Sequence, residues 1–159
     1  IVAFAIIEII DKSTLVSCPH PILYRLCWRI LDKLNGENEN FWFVFAFFLY
    51  QFSLQLGFMP NLKHCSVCNQ NIIVGGIDDY SGELVCANCV SQCKIKIGGN
   101  VCTFLKQLSN LHLDDLKTTS VINNDIIESI HVLASFMFFH VDGLKKIQSM
   151  KMVGKFFNM

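Results

Sequence analysis

Four cysteines near the middle of the chain have the type and spacing of metal ligands. Cys65 and Cys68 form one C-x-x-C pair, Cys86 and Cys89 form a second, and 17 residues separate the two pairs. A two-residue spacing lets both thiolates of a tight turn reach one ion, and two such turns complete a tetrahedron of sulfur ligands. The spacing predicts a single structural Zn²⁺, because four protein sulfurs leave no coordination position for water or substrate.

The other residues capable of chemistry lack such spacing. Cys93 and His64 lie close to the two pairs and are interpreted as bystanders, although either could replace a thiolate ligand. A redox role for the C-x-x-C pairs is disfavoured, because neither pair opens a helix after a strand in a βαβ unit. No G-x-S-x-G, H-E-x-x-H or phosphate-binding glycine loop is present, so we expect no enzymatic activity. The isolated cysteines are interpreted as small core residues; they are Cys18, Cys27 and Cys102.

The composition restricts the class of protein. Hydrophobic residues make up 52% of the 159 residues, charged residues make up 16%, and the formal net charge is zero. A chain of this kind can bury one large core and is not disordered. The balanced charge gives no global sign of nucleic-acid binding. Because the first ten residues lack the basic start of a signal peptide, the eight cysteines indicate thiols or metal ligands in a reducing cytoplasm.

The most apolar stretch is too short to cross a membrane. Residues 41–50 form an uninterrupted apolar run of ten, whereas a bilayer requires about 18–20 such residues. Gln51 and Gln55 then follow four residues apart, which suits the thin polar edge of a buried helix. We therefore expect a central core helix and no membrane span. A membrane-associated helical protein remains an alternative.

The periodicity of apolar residues predicts a mainly helical fold. The fold class expected is an all-α domain, formed by residues 1–60 and 98–159, that is interrupted by a zinc-finger-like knuckle in residues 61–97, here called the knuckle segment. Asn40 is the expected N-cap of the Phe-rich helix, and Gly57 marks its end. The expected helices are Ile1–Asp11, Pro21–Leu34, the Phe-rich segment between Asn40 and Gly57, Val101–Leu108 and Asp125–Asp142.

The C-terminal tail combines basic and apolar residues. Its 17 residues from Gly143 contain four lysines and no acidic residue, a pattern that could contact phosphates or an acidic peptide. The alternative is an ordinary amphipathic tail, since the same segment has an apolar face. The four lysines are Lys145, Lys146, Lys151 and Lys155.

Several of these segments together resemble the bacterial recombination mediator family RecO. The resemblance is strongest where Leu56-Gly57-Phe58-Met59-Pro60-Asn61-Leu62 precedes the first C-x-x-C pair and Ser81-Gly82-Glu83-Leu84-Val85 precedes the second. An ending similar to the family's closing helix and basic tail follows at Phe138-Phe139-His140-x-x-Gly143-Leu144-Lys145. The similarity extends over nearly the whole chain, but outside residues 56–89 it is mainly one of pattern.

The resemblance implies a role in DNA repair by homologous recombination. Proteins of this family have an N-terminal OB-fold, which is expected in the full protein and is missing from this sequence, and it would carry much of the contact with single-stranded DNA. The implied partners are a RecR-like protein and the C-terminal tail of single-strand-binding protein. The implied activities are loading of the recombinase on coated single strands and annealing of complementary strands, without nucleotide hydrolysis. A generic zinc-containing interaction module is the other open interpretation.

Overall fold

The computed structural model describes residues 1–14, 19–36, 40–90, 93–118 and 123–156. These residues form six α-helices, two short 3-10 helices and three short β-strands. The α-helices are α1 (Val2–Ser13), α2 (Pro21–Leu34), α3 (Phe41–Gln55), α4 (Gly99–Leu108), α5 (Asn123–His140) and α6 (Gln148–Phe156). The strands are β1 (Gly75–Ile77), β2 (Leu84–Cys86) and β3 (Ile95–Ile97), and the 3-10 helices are Leu113–Thr118 and Asp142–Lys146.

The Phe-rich helix α3 is the centre of the core. Its first turn is capped by Asn40, whose Oδ1 accepts a hydrogen bond of 3.2 Å from the Phe43 amide. Ten of its residues are buried, and they lie on all sides because α2 packs on one side and α5 on another. Gly57 follows the helix with a φ of +79°, the left-handed conformation that favours glycine. The prediction of a buried central helix is confirmed.

Helix α2 has the bounds that its sequence pattern predicts. Pro21 occupies the first turn, where its missing amide hydrogen is tolerated, and the helix ends at Leu34. Leu23 and Ile30 are buried on its inner face. The opposite side of α2 is exposed to solvent and carries large aromatic and basic residues.

Helix α5 buries the apolar stripe expected for residues 126–141. Ile130 and Met137 are completely buried, and Ile126 and Leu133 are almost so. The helix ends at His140, two residues earlier than predicted, because the chain tightens into a 3-10 turn that begins at Asp142. This stripe is the surface on which α3 and α4 pack.

The expected fold class, an all-α domain interrupted by a knuckle, is confirmed in part, because the fold is mostly helical but not purely all-α. The fold is predominantly helical, but the knuckle segment contains a three-stranded antiparallel sheet in the order β2-β1-β3. Gly75 and Gly76 of β1 let both neighbours approach closely: a Cβ at Gly75 would lie 2.0 Å from the Val85 carbonyl oxygen. Strands of three residues are too short to display an alternating pattern, and this is why the sequence did not reveal them.

The C-terminal segment packs back on the start of the chain. Leu144, Ile147 and Val153 are buried, and α6 lies against α1. This placement agrees with the amphipathic interpretation of the tail. In the part of the chain that the structure describes, no helix combines the length and apolarity needed to cross a bilayer.

Candidate metal centre

A tight hairpin turn positions the first cysteine pair. The Cys65 amide donates a hydrogen bond to the Gln70 carbonyl at 2.8 Å, and the Asn69 amide donates one to the Cys65 carbonyl at 2.9 Å. Asn69 adopts a φ of 58°, and His64 pairs with Asn71 at the base of the turn. These contacts fold the chain back on itself and direct Cys65 and Cys68 to the same side.

The second pair begins at the end of β2. Cys86 is the last residue of that strand, and a turn closes when the Cys89 amide donates to the Cys86 carbonyl at 2.9 Å. The two turns are joined directly, because the Ser66 amide donates to the Leu84 carbonyl at 3.1 Å. The small sheet therefore carries one turn and holds the other beside it.

All four sulfurs converge. The Sγ atoms of Cys65, Cys68, Cys86 and Cys89 lie within 4.8 Å of one another, and those of Cys68 and Cys86 are 3.6 Å apart. Sulfurs about 3.8 Å apart are what a tetrahedral Zn²⁺ with bonds of about 2.3 Å requires. An all-sulfur donor set favours Zn²⁺ or an iron–sulfur centre over hard cations such as Mg²⁺ or Ca²⁺. The residues present thus fit the cation that the spacing predicts.

The electrostatics of the cluster favour a bound cation. Burial opposes ionisation of Cys65, but amide hydrogens of Cys68, Cys86 and Val67 point at its sulfur and lower its pKa to about 6. At Cys89, hydrogen bonding with Cys68, burial and the neighbouring sulfurs raise the pKa to about 12. The Cys65 thiolate therefore forms readily, whereas ionisation of Cys89 requires a neighbouring positive charge.

The other cysteines and His64 lie apart from this group. Among the described residues, neither Cys93 nor His64 belongs to the four-sulfur cluster, and both are half-buried. Cys102 is buried and Cys27 half-buried, as expected of core residues. Cys18 lies outside the described residues.

The basic tail is described only in part. Lys151 is exposed on α6 and borders a groove between α5 and α6 that His131 also lines. The side chains of the other three tail lysines lie outside the described part of the structure; these are Lys145, Lys146 and Lys155.

A second feature is a cleft that the sequence did not reveal as a site. It lies between α2, α3 and residues 111–113, and its volume is about 230 Å³. Arg25 and Arg29 border it from α2, and Gln51 and Gln55 border it from α3. Both pairs have the four-residue spacing of one helical face. The polar face of each helix is therefore visible in the sequence, but only the packing of α2 on α3 brings the two faces together.

Comparison with known proteins agrees with this geometry. The family model described as "Recombination protein O C terminal" matches residues 1–149. Similar proteins, each named DNA repair protein RecO, occur in several bacteria. The Prosthecochloris aestuarii protein is 29% identical over 70 residues, which are 44% of this chain and 26% of the relative. The Syntrophomonas wolfei protein is 27% identical over 90 residues, which are 57% of this chain and 36% of the relative. The Listeria monocytogenes protein is 25% identical over 116 residues (72% and 45%). The chain thus spans less than half the length of these relatives. A match over nearly the whole chain shows that it belongs to the RecO family of DNA repair proteins.

Proposed function

We propose that this chain is the zinc-binding C-terminal part of a cytoplasmic recombination mediator. The observation that carries the proposal is the family match over residues 1–149, in a chain whose four cysteine sulfurs converge within 4.8 Å. The complete protein would use an N-terminal OB-fold for much of its contact with single-stranded DNA. Together with a RecR-like protein it would load the recombinase on strands covered by single-strand-binding protein and anneal complementary strands, without hydrolysing nucleotides.

In this proposal the metal has a structural role. Cys65, Cys68, Cys86 and Cys89 bind one Zn²⁺, which supplies the positive charge that lets neighbouring thiolates coexist. Cys86 also belongs to β2, so its position depends on the three-stranded sheet. The ion would hold the knuckle segment, as a zinc-binding module, against a helical domain formed by residues 1–60 and 98–159.

The cleft between α2 and α3 is proposed as the docking site for the tail of single-strand-binding protein. An acidic peptide with an aromatic residue needs cations beside an apolar floor, and Arg25 and Arg29 stand beside Ile22 and Leu26 here. The pair of Arg29 with Asp114, at 3.3 Å, is exposed on both sides and therefore weak enough for a peptide carboxylate to displace it.

The tail lysines are proposed as a second basic contact. Lys151 is exposed on α6, and α6 packs against α1 rather than against the cleft, so these lysines would meet a different part of an acidic peptide or of DNA. Their contribution would be electrostatic and would decrease as salt increases. The residues concerned are Lys145, Lys146, Lys151 and Lys155.

Titration with a fluorescein-labelled acidic-aromatic tail peptide tests the docking site. We expect binding that weakens with salt and that falls about tenfold or more in Gln51→Glu, because a carboxylate in the cleft repels the peptide's carboxylates. Gln107→Glu makes the same change at an exposed position of α4 outside the cleft and should bind normally. Absence of salt-sensitive binding by the unaltered chain, or equal binding by the two variants, would contradict the proposal.

A further inference from the structure

The outer side of α2 carries two parallel rows of exposed side chains. Tyr24 and Trp28 form an aromatic row, with 72% and 65% of their surfaces exposed. Arg25 and Arg29, each one residue further along, form a basic row that is also exposed. Large aromatic side chains usually bury most of their surface, so two of them facing solvent on one helical turn require a reason.

The spacing of the two rows is regular. Residues four apart on a helix have Cβ atoms about 5–6 Å from each other, and residues three apart are also neighbours. Trp28 therefore adjoins Tyr24 within its own row and Arg25 in the basic row. Trp28 is therefore the aromatic residue of the row that has an arginine as its helical neighbour, and Tyr24 extends the aromatic row toward the start of α2.

The positive charges of the basic row are little neutralised by ion pairs within the described part of the chain. None of the described residues forms an ion pair with Arg25, and the single pair of Arg29, with Asp114, is solvent-exposed. The first turn of α2 contains no acidic side chain. The start of α2 therefore supplies no carboxylate of its own that would offset the charge of the arginines.

We propose that this face of α2 binds single-stranded DNA, with bases stacked on Tyr24 and Trp28 and backbone phosphates paired with Arg25 and Arg29. Aromatic side chains beside a basic track are how proteins hold single strands without reading their sequence, since every base has a face that can stack. Duplex DNA keeps its base faces covered and would use only the arginines. The choice of DNA over RNA rests on the proposed function, because the stacking and charge contacts suit both.

This surface shares its basic row with the proposed tail site but not its aromatic row. Tyr24 and Trp28 do not line the cleft between α2 and α3, whereas both arginines border it. The arginines would therefore serve either ligand, and the aromatic row would serve DNA alone. Substitution of an aromatic residue thus separates this proposal from the docking of the acidic tail.

Fluorescence anisotropy of a labelled oligothymidylate, titrated with the zinc-loaded 159-residue chain, tests the proposal. Trp28→Ala should weaken binding about 5- to 150-fold, the usual loss for one stacked base, and Trp28→Phe should restore much of it. Arg25→Gln should reduce the slope of log affinity against log salt by about 0.7, the value for one phosphate of a single strand. The same titration with a labelled oligouridylate compares RNA with DNA, and tighter binding of the RNA would overturn the choice of DNA.

Tyr80→Ala is the matched control, because Tyr80 is an equally exposed aromatic, at 82%, that follows two aspartates instead of adjoining arginines. It should leave DNA affinity unchanged, and Trp28→Ala should leave binding of the acidic tail peptide unchanged. If the chain does not bind the oligonucleotide, or if Trp28→Ala binds it as well as Tyr80→Ala does, the proposal is wrong. Loss of peptide binding without loss of DNA binding in Trp28→Ala would assign the aromatic row to a protein partner and would also overturn it.

Discussion

Gly82 is a residue of the knuckle segment that lies against helix α5. It has a φ of +70°, and a Cβ placed on it would lie 2.3 Å from Cδ1 of Phe139 on α5. The turn that contains Gly82 is held by Asp78, whose carboxylate accepts hydrogen bonds from the Ser81 amide and hydroxyl at 2.8 and 2.7 Å. The backbone conformation therefore favours glycine, and a side chain at this position would have to displace the partly exposed ring of Phe139.

Gly82→Ala should lower the free energy of unfolding by about 2–4 kcal/mol, since it adds a steric clash to the cost of a left-handed alanine. Gly57→Ala is the control, because Gly57 also has a positive φ but no atom within 4 Å of its Cβ position. Gly57→Ala should lower the free energy of unfolding by only about 1–2 kcal/mol. Urea unfolding measures both values. Combining Gly82→Ala with Phe139→Ala should recover the steric part of the lost unfolding free energy. Equal losses of unfolding free energy in Gly82→Ala and Gly57→Ala would show that the close contact does not affect stability.

At the scale of elements, the carboxylate of Glu8 connects α1 to α6. Glu8 on α1 accepts hydrogen bonds from the amides of Gln148, at 3.0 Å, and Ser149, at 2.9 Å, and from the Ser149 hydroxyl. These amides belong to the first turn of α6, where they have no partner within the helix. The hydrogen bonds from the Ser149 side chain, from its amide and from the Gln148 amide hold the pKa of Glu8 below its ordinary value of 4.5.

The Glu8 contact predicts a pH-dependent stability. Because the pKa is lower in the folded state, the contribution is fully present above pH 4.5 and is lost as the pH falls through the folded-state pKa. Glu8→Gln should therefore lower the free energy of unfolding by about 1 kcal/mol at neutral pH, and the difference from the unaltered chain should shrink in acid.

Urea titrations at several pH values measure this effect. Asp11→Asn removes the same charge from α1, but among the described residues Asp11 pairs with its exposed neighbour Lys12 alone, so that variant should change stability little. A constant difference between Glu8→Gln and the unaltered chain across the acidic range would refute the role assigned to the carboxylate.

The elements also show what a sequence pattern can and cannot reveal. Long amphipathic segments with capping signals were predictable, and α2 begins and ends at the residues expected, Pro21 and Leu34. The sheet was missed because each strand has only three residues and β1 consists largely of glycine. The end of α5 was misplaced by two residues, since the shift into a 3-10 turn leaves the apolar spacing unbroken.

Features that depend on distant residues were beyond sequence reasoning. Glu8 and Ser149 are 141 residues apart in the chain, and no local pattern indicates that they meet. The cleft beside Arg25 and Gln51 likewise exists only because α2 packs on α3. The four-cysteine cluster is the exception, because its two turns are local and the ligand chemistry itself requires them to meet.

At the scale of the whole molecule, the features described lie on different parts of the surface. The arginines and aromatic residues belong to α2, whereas the four cysteines belong to the knuckle segment. Helix α3 lies between α2 and α5, and Phe139 of α5 meets the knuckle segment at Gly82. The proposed zinc site would therefore stabilise the knuckle segment, while the cleft and the aromatic row proposed for peptide and DNA are built on α2, a different element.

The metal content of the purified chain tests the central claim most directly. Mass spectrometry of the elements, combined with protein quantitation, should give close to one zinc per chain, and Cys86→Ser should lower that ratio well below one and loosen the knuckle segment. Cys102→Ser, which alters a buried cysteine of α4 outside the cluster, should keep the ratio near one. A natively folded chain without metal, or a zinc ratio that Cys86→Ser leaves unchanged, would contradict the account.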